Sequence, residues 1–404
     1  MKAMKSIMRF FSIATLAAAM ATMVGCAKEE TNNTDGQTFT TTVQLPDGGS
    51  KAISENGEKT FAVGDRIKLT VWETPWPVYI SEPLTALNIS NDGKAAEFTF
   101  NFASAPTFPL GSDVETTYPA NYQGIDLQEL GTLQSLPAYD YTTGLSTITT
   151  EGQLPTYTKL ENQYAILKLK ILNSANTDIT SFINDLYINI NGQDIEVTRG
   201  AGNYGTDPFY THFADDTLIY VVVPPIANGD IVFTARIDGT GYTCIRTKTV
   251  KNKTLEKGHM YPVELTMGEA TVTWNTAIID GTAGAGNGIN TQIFPGSSAY
   301  QGASLGGIQL NTTSFADWVN GVISDGGRDG SIFFKSGYGN IKQIVMTGFT
   351  MNSGELISGW EQSGTTFTWT QDPLLESSNR VYLVNGNSLT LTAGSSAQIV
   401  FTVE

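Results

Sequence analysis

Apolar and polar residues alternate through most of this chain, the pattern of half-buried β-strands. Phe39, Thr41, Val43 and Leu45 share one face of a first strand, and Pro46-Asp47-Gly48-Gly49 ends it. Beyond a polar loop that carries Lys51-Ala52, Gly64-Asp65 forms a turn from which Ile67, Leu69 and Val71 alternate as a second strand. Asn91-Asp92-Gly93-Lys94 is a hairpin turn before the alternating stretch Ala96 to Phe100. Tyr118-Pro119 and Leu136-Pro137 punctuate a looser region.

A second block opens near Leu154. Ala165, Leu167, Leu169 and Ile171 face inward, with Lys168 and Lys170 between them facing out. Leu186 to Ile190, Ile219 to Val223 and Ile231 to Ile237 supply further strands. Pro224-Pro225 stops the middle one, because proline cannot donate to a ladder. Gly258 to Leu265 reads as the closing strand of this block.

A third block runs from about Glu269 to Glu404. It begins with Val272-Thr273-Trp274 and a loose stretch, Gly281 to Asn290. One short helix is expected, capped by Ser314 with Asp317 three positions on, and with Phe315, Trp318, Val319 and Val322 on one face. Strands follow at Ile332 to Lys335, Ile341 to Met346, Thr365 to Thr370, Arg380 to Val384 and Leu389 to Thr392, and the last alternates from Gln398 to Val403. Turn signals recur at the spacing of roughly 8–12 residues that marks sandwiches. The expected fold is therefore all-β: β-sandwiches over residues 38–152 and 153–268, then a C-terminal β-sandwich over 269–404.

Composition narrows the function. The 404-residue chain is too long for one ordinary core. Its formal charge of −16 supplies no basic stripe for phosphates, which disfavours nucleic acid and suits a solvated outer surface. Cysteine occurs only at Cys26 and Cys244, and Cys244 reads as a small buried hydrophobe.

The beginning of the chain reads as an export signal. Lys2, Lys5 and Arg9 precede an apolar run from Phe10 to Val24 that is short for a bilayer span, which needs about 20 residues. Met23-Val24-Gly25-Cys26 reads as a lipoprotein processing box, so residues 1–25 are the expected signal and Cys26 the expected site of lipidation. The polar tract that follows, through Gln37, is expected to be a tether over residues 26–37. Cys26-Ala27-Lys28-Glu29-Glu30 also resembles the short charged signal that directs Bacteroidetes lipoproteins to the outer cell surface.

Catalytic patterns fail on context. Gly302-Ala303-Ser304-Leu305-Gly306 matches a nucleophile elbow, but His212 and His259 both precede Ser304, and glycines crowd it where a strand and a helix should lie. Two histidines and one usable thiol make no zinc cluster of known spacing. The glycine-rich stretch from Gly281 lacks the lysine and serine of a phosphate loop. Asp215-Asp216 reads as a solvated turn. No enzyme, metal or cofactor is expected.

The order of several segments resembles the fimbrillin family of Bacteroidetes, the lipoprotein-derived type V pilins. These segments are the box at Cys26, the strand Phe39 to Leu45, the loop with Lys51-Ala52, Phe61 with Gly64-Asp65-Arg66-Ile67, the strand Tyr164 to Leu172, Tyr220 to Pro225, and Lys257 to Val263. The resemblance covers roughly Thr38 to Met267. It implies two Greek-key, transthyretin-like sandwiches and export to the outer membrane on a lipid. It also implies a trypsin-like cut in the loop after the first strand, here between Lys51 and Ala52. Loss of that strand, with Phe39, Thr41, Val43 and Leu45, would open a groove that a neighbouring subunit's strand fills.

The third block lies outside the resemblance, and its extra length suggests an accessory or tip pilin rather than a stalk unit. The implied partners are other fimbrial subunits and a host or bacterial surface glycan or protein. Four of the six tryptophans lie there, and Trp360, between Ser358-Gly359 and Glu361-Gln362-Ser363-Gly364, is the one expected to be exposed and to stack on a sugar. Two alternatives stay open. One is a stalk pilin whose final strand, with Ile399, Phe401 and Val403, is the donor. The other is a glycan-binding surface lipoprotein that never polymerises.

Overall fold

The computed structural model describes residues 37–46, 59–73, 76–82, 84–102, 108–174, 176–199, 217–239, 241–279, 300–301, 305–312, 316–325, 330–337, 339–372 and 378–404. Among these the architecture is all-β. The first unit carries β1 (Gln37–Gln44), β2 (Arg66–Glu73), β3 (Trp76–Ile80), β4 (Leu84–Thr85), β5 (Ala95–Phe102), β6 (Asp113–Tyr118), β7 (Leu127–Glu129), β8 (Thr142–Thr147), β9 (Tyr157–Lys159) and β10 (Glu161–Asn162). The second carries β11 (Ala165–Leu172), β12 (Asp185–Ile190), β13 (Gln193–Thr198), β14 (Ile219–Val223), β15 (Ile226–Gly239), β16 (Tyr242–Leu255) and β17 (Met260–Thr266).

The third unit begins with β18 (Ala270–Trp274) and a short helix, Thr276–Ile279. Then come β19 (Tyr300–Gln301), β20 (Ile308–Thr312), β21 (Ala316–Val319), β22 (Val322–Asp325), β23 (Ser331–Ser336), β24 (Ile341–Gly354), β25 (Trp360–Ser363), β26 (Thr366–Thr370), β27 (Arg380–Asn385) and β28 (Leu389–Val403).

In the first unit a sheet ordered β5-β1-β9 faces one ordered β10-β8-β6-β2-β3. Their inner faces meet in two clusters, one around Val43, Phe61, Ile67 and Phe98, the other around Leu69, Phe100, Phe108 and Val114. Alternation produces this directly: in β5 the residues Ala96, Phe98 and Phe100 are buried, and the residues between them are at least partly exposed.

The second and third units share one twelve-stranded sheet. Its ladder crosses from β16 to β18 through Tyr242↔Trp274, Cys244↔Val272 and Arg246↔Ala270, then to β28 through Val272↔Phe401. A single hydrophobic cluster runs from Leu167 and Phe233 to Trp274, Phe334 and Phe401. The boundary expected at 268/269 is therefore a place where the chain leaves one sheet and joins another, not a gap between cores. The boundary expected at 152/153 also moves. β9 and β10 still pair with the first unit, whereas β7 pairs in parallel with β13, and Ile125, Leu136 and Tyr139 pack in the second core.

The helix expected around Trp318 is a β-hairpin. β21 and β22 pair through Trp318↔Ile323 and Val319↔Val322. Asn320 and Gly321, with φ of +50° and +74°, close the hairpin. Positive φ at both central residues of a two-residue loop suits the twist of a hairpin and breaks a helix. Ser314 and Phe315 lie outside the described residues.

Candidate strand-exchange site

Threonines and apolar residues alternate along β1, and the fold places the strand in the middle of its sheet. It runs antiparallel to β5 over its whole length, from Gln37↔Phe102 to Gln44↔Ala95, and parallel to β9 through Thr42↔Tyr157, Val43↔Thr158 and Gln44↔Lys159. Thr41 is 2% exposed, and Val43 and the following Leu45 are fully buried. Phe39 is half-buried, with its ring edge-on to Phe102 at 5.6 Å and to Phe108 at 6.4 Å. The other face is wet. The Thr38 hydroxyl donates to Asn101 Oδ1 at 3.0 Å, and the Thr40 and Thr99 hydroxyls lie 3.3 Å apart.

The four residues singled out in the first strand thus face one interior. One of them fits imperfectly: the buried Thr41 hydroxyl has no hydrogen-bond partner. An unsatisfied buried group of this kind costs about 1–3 kcal/mol.

The chain beyond the loop has contacts of its own outside β1. Lys59 is fully buried, and its Nζ lies 2.8 Å from Asp140 Oδ2, which is also buried. Burial pushes the Lys59 ammonium below its ordinary range, and the Asp140 carboxylate opposes that shift. Two residues on, the Phe61 ring packs on Phe98 at 5.6 Å and on Tyr118 at 5.1 Å. Asp65 then ties the turn, accepting the Ala62 N–H at 2.8 Å and the Tyr118 hydroxyl at 2.7 Å. Burial, reinforced by Asp65, raises the Tyr118 phenol far above its ordinary range. Lys51 and Ala52 lie outside the described residues, as does Cys26.

The last strand is differently placed. Ile399, Phe401 and Val403 are fully buried, and β28 pairs with β18 on one side and β24 on the other over this stretch. Sequence reading divided this strand into Leu389–Thr392 and Gln398–Val403; the chain joins them across a pairing irregularity opposite Thr347 to Phe349.

Trp360 is not an exposed platform. It is 7% exposed, and its indole N–H donates to the Tyr382 carbonyl at 2.8 Å. Ser358, Gly359 and Gly364 belong to turns, and the ring is tucked beneath the sheet where β25 pairs with β26. Trp274 and Trp318 are fully buried and donate to the carbonyls of Leu305 at 2.9 Å and Ile279 at 3.1 Å. The tryptophan that stands out is Trp76, 75% exposed on β3, at the edge of its sheet. Its proline neighbours on both sides, Pro75 and Pro77, are the available sequence signal.

The residues weighed for chemistry fall as follows. Ser304, His212, Asp215 and Asp216 lie outside the described residues. The imidazole of His259 is largely exposed, with Nδ1 3.1 Å from the Lys257 carbonyl. Cys244 is 2% exposed, and burial pushes its thiol up to about 11. Among the described residues no three metal-ligating side chains converge, and no helix is long and apolar enough to cross a membrane.

No family model and no curated protein matches this chain. Solved structures do overlap it in part. It is similar to a fimbrial protein from Bacteroides ovatus at 14% identity and a TM-score of 0.29, over 58% of this chain and 49% of that one. The chain thus spans about half the length of that protein. It is also similar to a minor pilin of Streptococcus agalactiae at 12% identity and a TM-score of 0.25, over 57% of this chain and 95% of the pilin.

Proposed function

We propose that this chain is an accessory or tip subunit of a cell-surface fimbrium. It is exported as a lipoprotein acylated on Cys26, held at the outer membrane, and cut between Lys51 and Ala52. It then assembles with other fimbrial subunits by strand exchange, and the third unit meets a surface ligand. The reading is supported above all by the place of β1. That strand lies between β5 and β9 with Thr41, Val43 and Leu45 buried, whereas the chain from Lys59 onward has its own anchors.

Release of β1 would leave two unpaired edges and an apolar trough flanked by Phe98 and Phe100 of β5 and floored by Ile67 and Leu69 of the facing sheet. An incoming strand with apolar side chains at alternate positions would regain about 1.5–3 kcal/mol for each one buried. It would also pair both edges. The stalk alternative asks β28 to leave the centre of a sheet in which Ile399, Phe401 and Val403 are fully buried, so the donor is better sought on another subunit.

The test is the N-terminus of the surface-assembled protein, read by mass spectrometry. A chain beginning at Ala52, and a Lys51→Ala variant that keeps Phe39 to Leu45 and stays out of fibres, is the expected outcome. Fibres built from chains that retain an acylated Cys26 and an intact first strand would refute the exchange mechanism.

A further inference from the structure

The third unit carries a second sheet, ordered β19-β20-β23-β27. Leu310, Ile332, Phe334, Val381 and Leu383 point from it into the core. The residues between them share the opposite face. The register aligns Gln309↔Lys335, Asn311↔Phe333, Phe333↔Tyr382 and Lys335↔Arg380.

One feature of this face is unfavourable for a sheet that binds nothing. Lys335 and Arg380 stand directly opposite each other on neighbouring strands, and like charges in that position destabilise a sheet. Among the described residues no carboxylate pairs with either, although the chain as a whole carries a formal charge of −16.

The arginine is also held in a defined pose. Its guanidinium carbon lies 4.5 Å from the centre of the Phe333 ring, and Nη1 donates to the Tyr382 hydroxyl at 3.2 Å. The Phe333 and Tyr382 rings are themselves in contact, 5.1 Å apart and tilted by 45°. A guanidinium stacked in this way keeps donors free in a planar fork that matches a carboxylate.

We propose that this face binds a saccharide bearing a carboxylate, a uronic acid or other acidic pyranose. Arg380 takes the carboxylate, and Lys335 adds the second charge. The amide of Gln309 and the Tyr382 hydroxyl are the polar groups left for the sugar's hydroxyls. The anion relieves the repulsion between the two cations, so the bound state removes a cost that the free protein carries. This extends the adhesive reading above by naming a ligand class for the third unit.

The experiment uses the purified, unpolymerised full chain at low salt. It is titrated with oligosaccharides containing glucuronate, galacturonate or sialic acid, with neutral oligosaccharides of matching length, and with polyglutamate. Saturable binding to at least one carboxylated sugar is expected, with its neutral counterpart weaker by about tenfold or more, in keeping with a charge-assisted bidentate contact. Arg380→Gln and Lys335→Gln should each weaken binding, and Arg380→Lys should weaken it too, since it keeps the charge and loses the fork. Arg380→Gln and Lys335→Gln each remove the like-charge pair and should melt near or above the parent temperature, and Arg380→Lys should still melt cooperatively, which shows that all three fold; Tyr382→Phe gives a milder second probe. Absence of saturable binding to every carboxylated sugar overturns the proposal. So does equal binding of the neutral sugars or of polyglutamate, or binding indifferent to Arg380→Gln. A chain that binds acidic sugar but keeps its first strand in fibres sinks the assembly reading alone. One that is cut at Lys51 and assembles, yet binds no acidic sugar, sinks this inference alone.

Discussion

The first and last described strands look alike as patterns and differ as parts. β1 and the end of β28 both alternate, both lie inside a sheet, and both bury every second side chain. β1 belongs to a three-stranded sheet and touches two small clusters, with only three residue pairs to β9. β28 is fifteen residues long, pairs with β18, β22 and β24, and contributes to the cluster that unites the second and third units. The difference teaches that two strands with the same alternation can hold very different shares of a core.

The largest test of this contrast is truncation. Deleting residues 398–404 should abolish cooperative melting of the second and third units together. Cleaving the chain at a protease site engineered between residues 47 and 58, and stripping the released strand, should spare that transition and expose dye-binding apolar surface in the first unit alone. A single transition lost in both experiments would erase the distinction.

Phe401→Ala comes next. Removing a fully buried ring typically costs about 3–5 kcal/mol, and here the loss should appear in the transition shared by two units. In the first unit, Lys59→Ala should cost a similar amount, about 3–5 kcal/mol, because it strands a buried Asp140 carboxylate. Lys59→Met with Asp140→Leu should recover most of that loss in chemical denaturation.

A smaller effect of opposite sign is expected at Thr41. Thr41→Val replaces an unpartnered buried hydroxyl with a methyl group and should stabilise the first unit by about 1 kcal/mol. It should also slow release of β1 in a strand-exchange assay with a synthetic peptide.

The last prediction concerns alkaline pH and the shared core. The Cys244 thiol titrates near 9.0 when unfolded and at about 11 when buried. Between these values the unfolded chain loses a proton that the folded chain keeps, so stability falls as pH rises. The contribution is intact below pH 9 and is progressively lost through about 11. Cys244→Ala should flatten the melting temperature of the second and third units over that interval and leave the first unit's alkaline response in place.

Much of this was legible along the chain, because side-chain alternation in a strand is local. β1 and β11 fall within a residue or two of the stretches where period-two alternation predicts them, and β14 and β23 fall within a residue or two of short apolar stretches read as strands. β16 was not legible. From Thr247 to Thr254 it is exposed or nearly so, with Lys248, Lys251 and Lys253 along a sheet edge, so burial imposes no alternation there. Trp318 misled because its spacing to Val322 fits a helix, whereas Asn320-Gly321 folds the chain back before a helical turn can close. Trp360 misled because serine and glycine neighbours describe the turns at either side, not the direction of a ring between them.

By itself the sequence determined that this is an all-β chain, which faces of most strands are apolar, and where a first strand ends before a polar loop. Those properties follow from side-chain period and turn chemistry, which act over a few residues. Only the tertiary structure decided that β1 lies inside a three-stranded sheet and that β28 lies inside the twelve-stranded one. It also decided that Lys59 meets Asp140, and that Lys335 and Arg380 face each other across two strands. These depend on which distant segments pair, and pairing is fixed by the shared burial of surfaces that lie far apart in the chain.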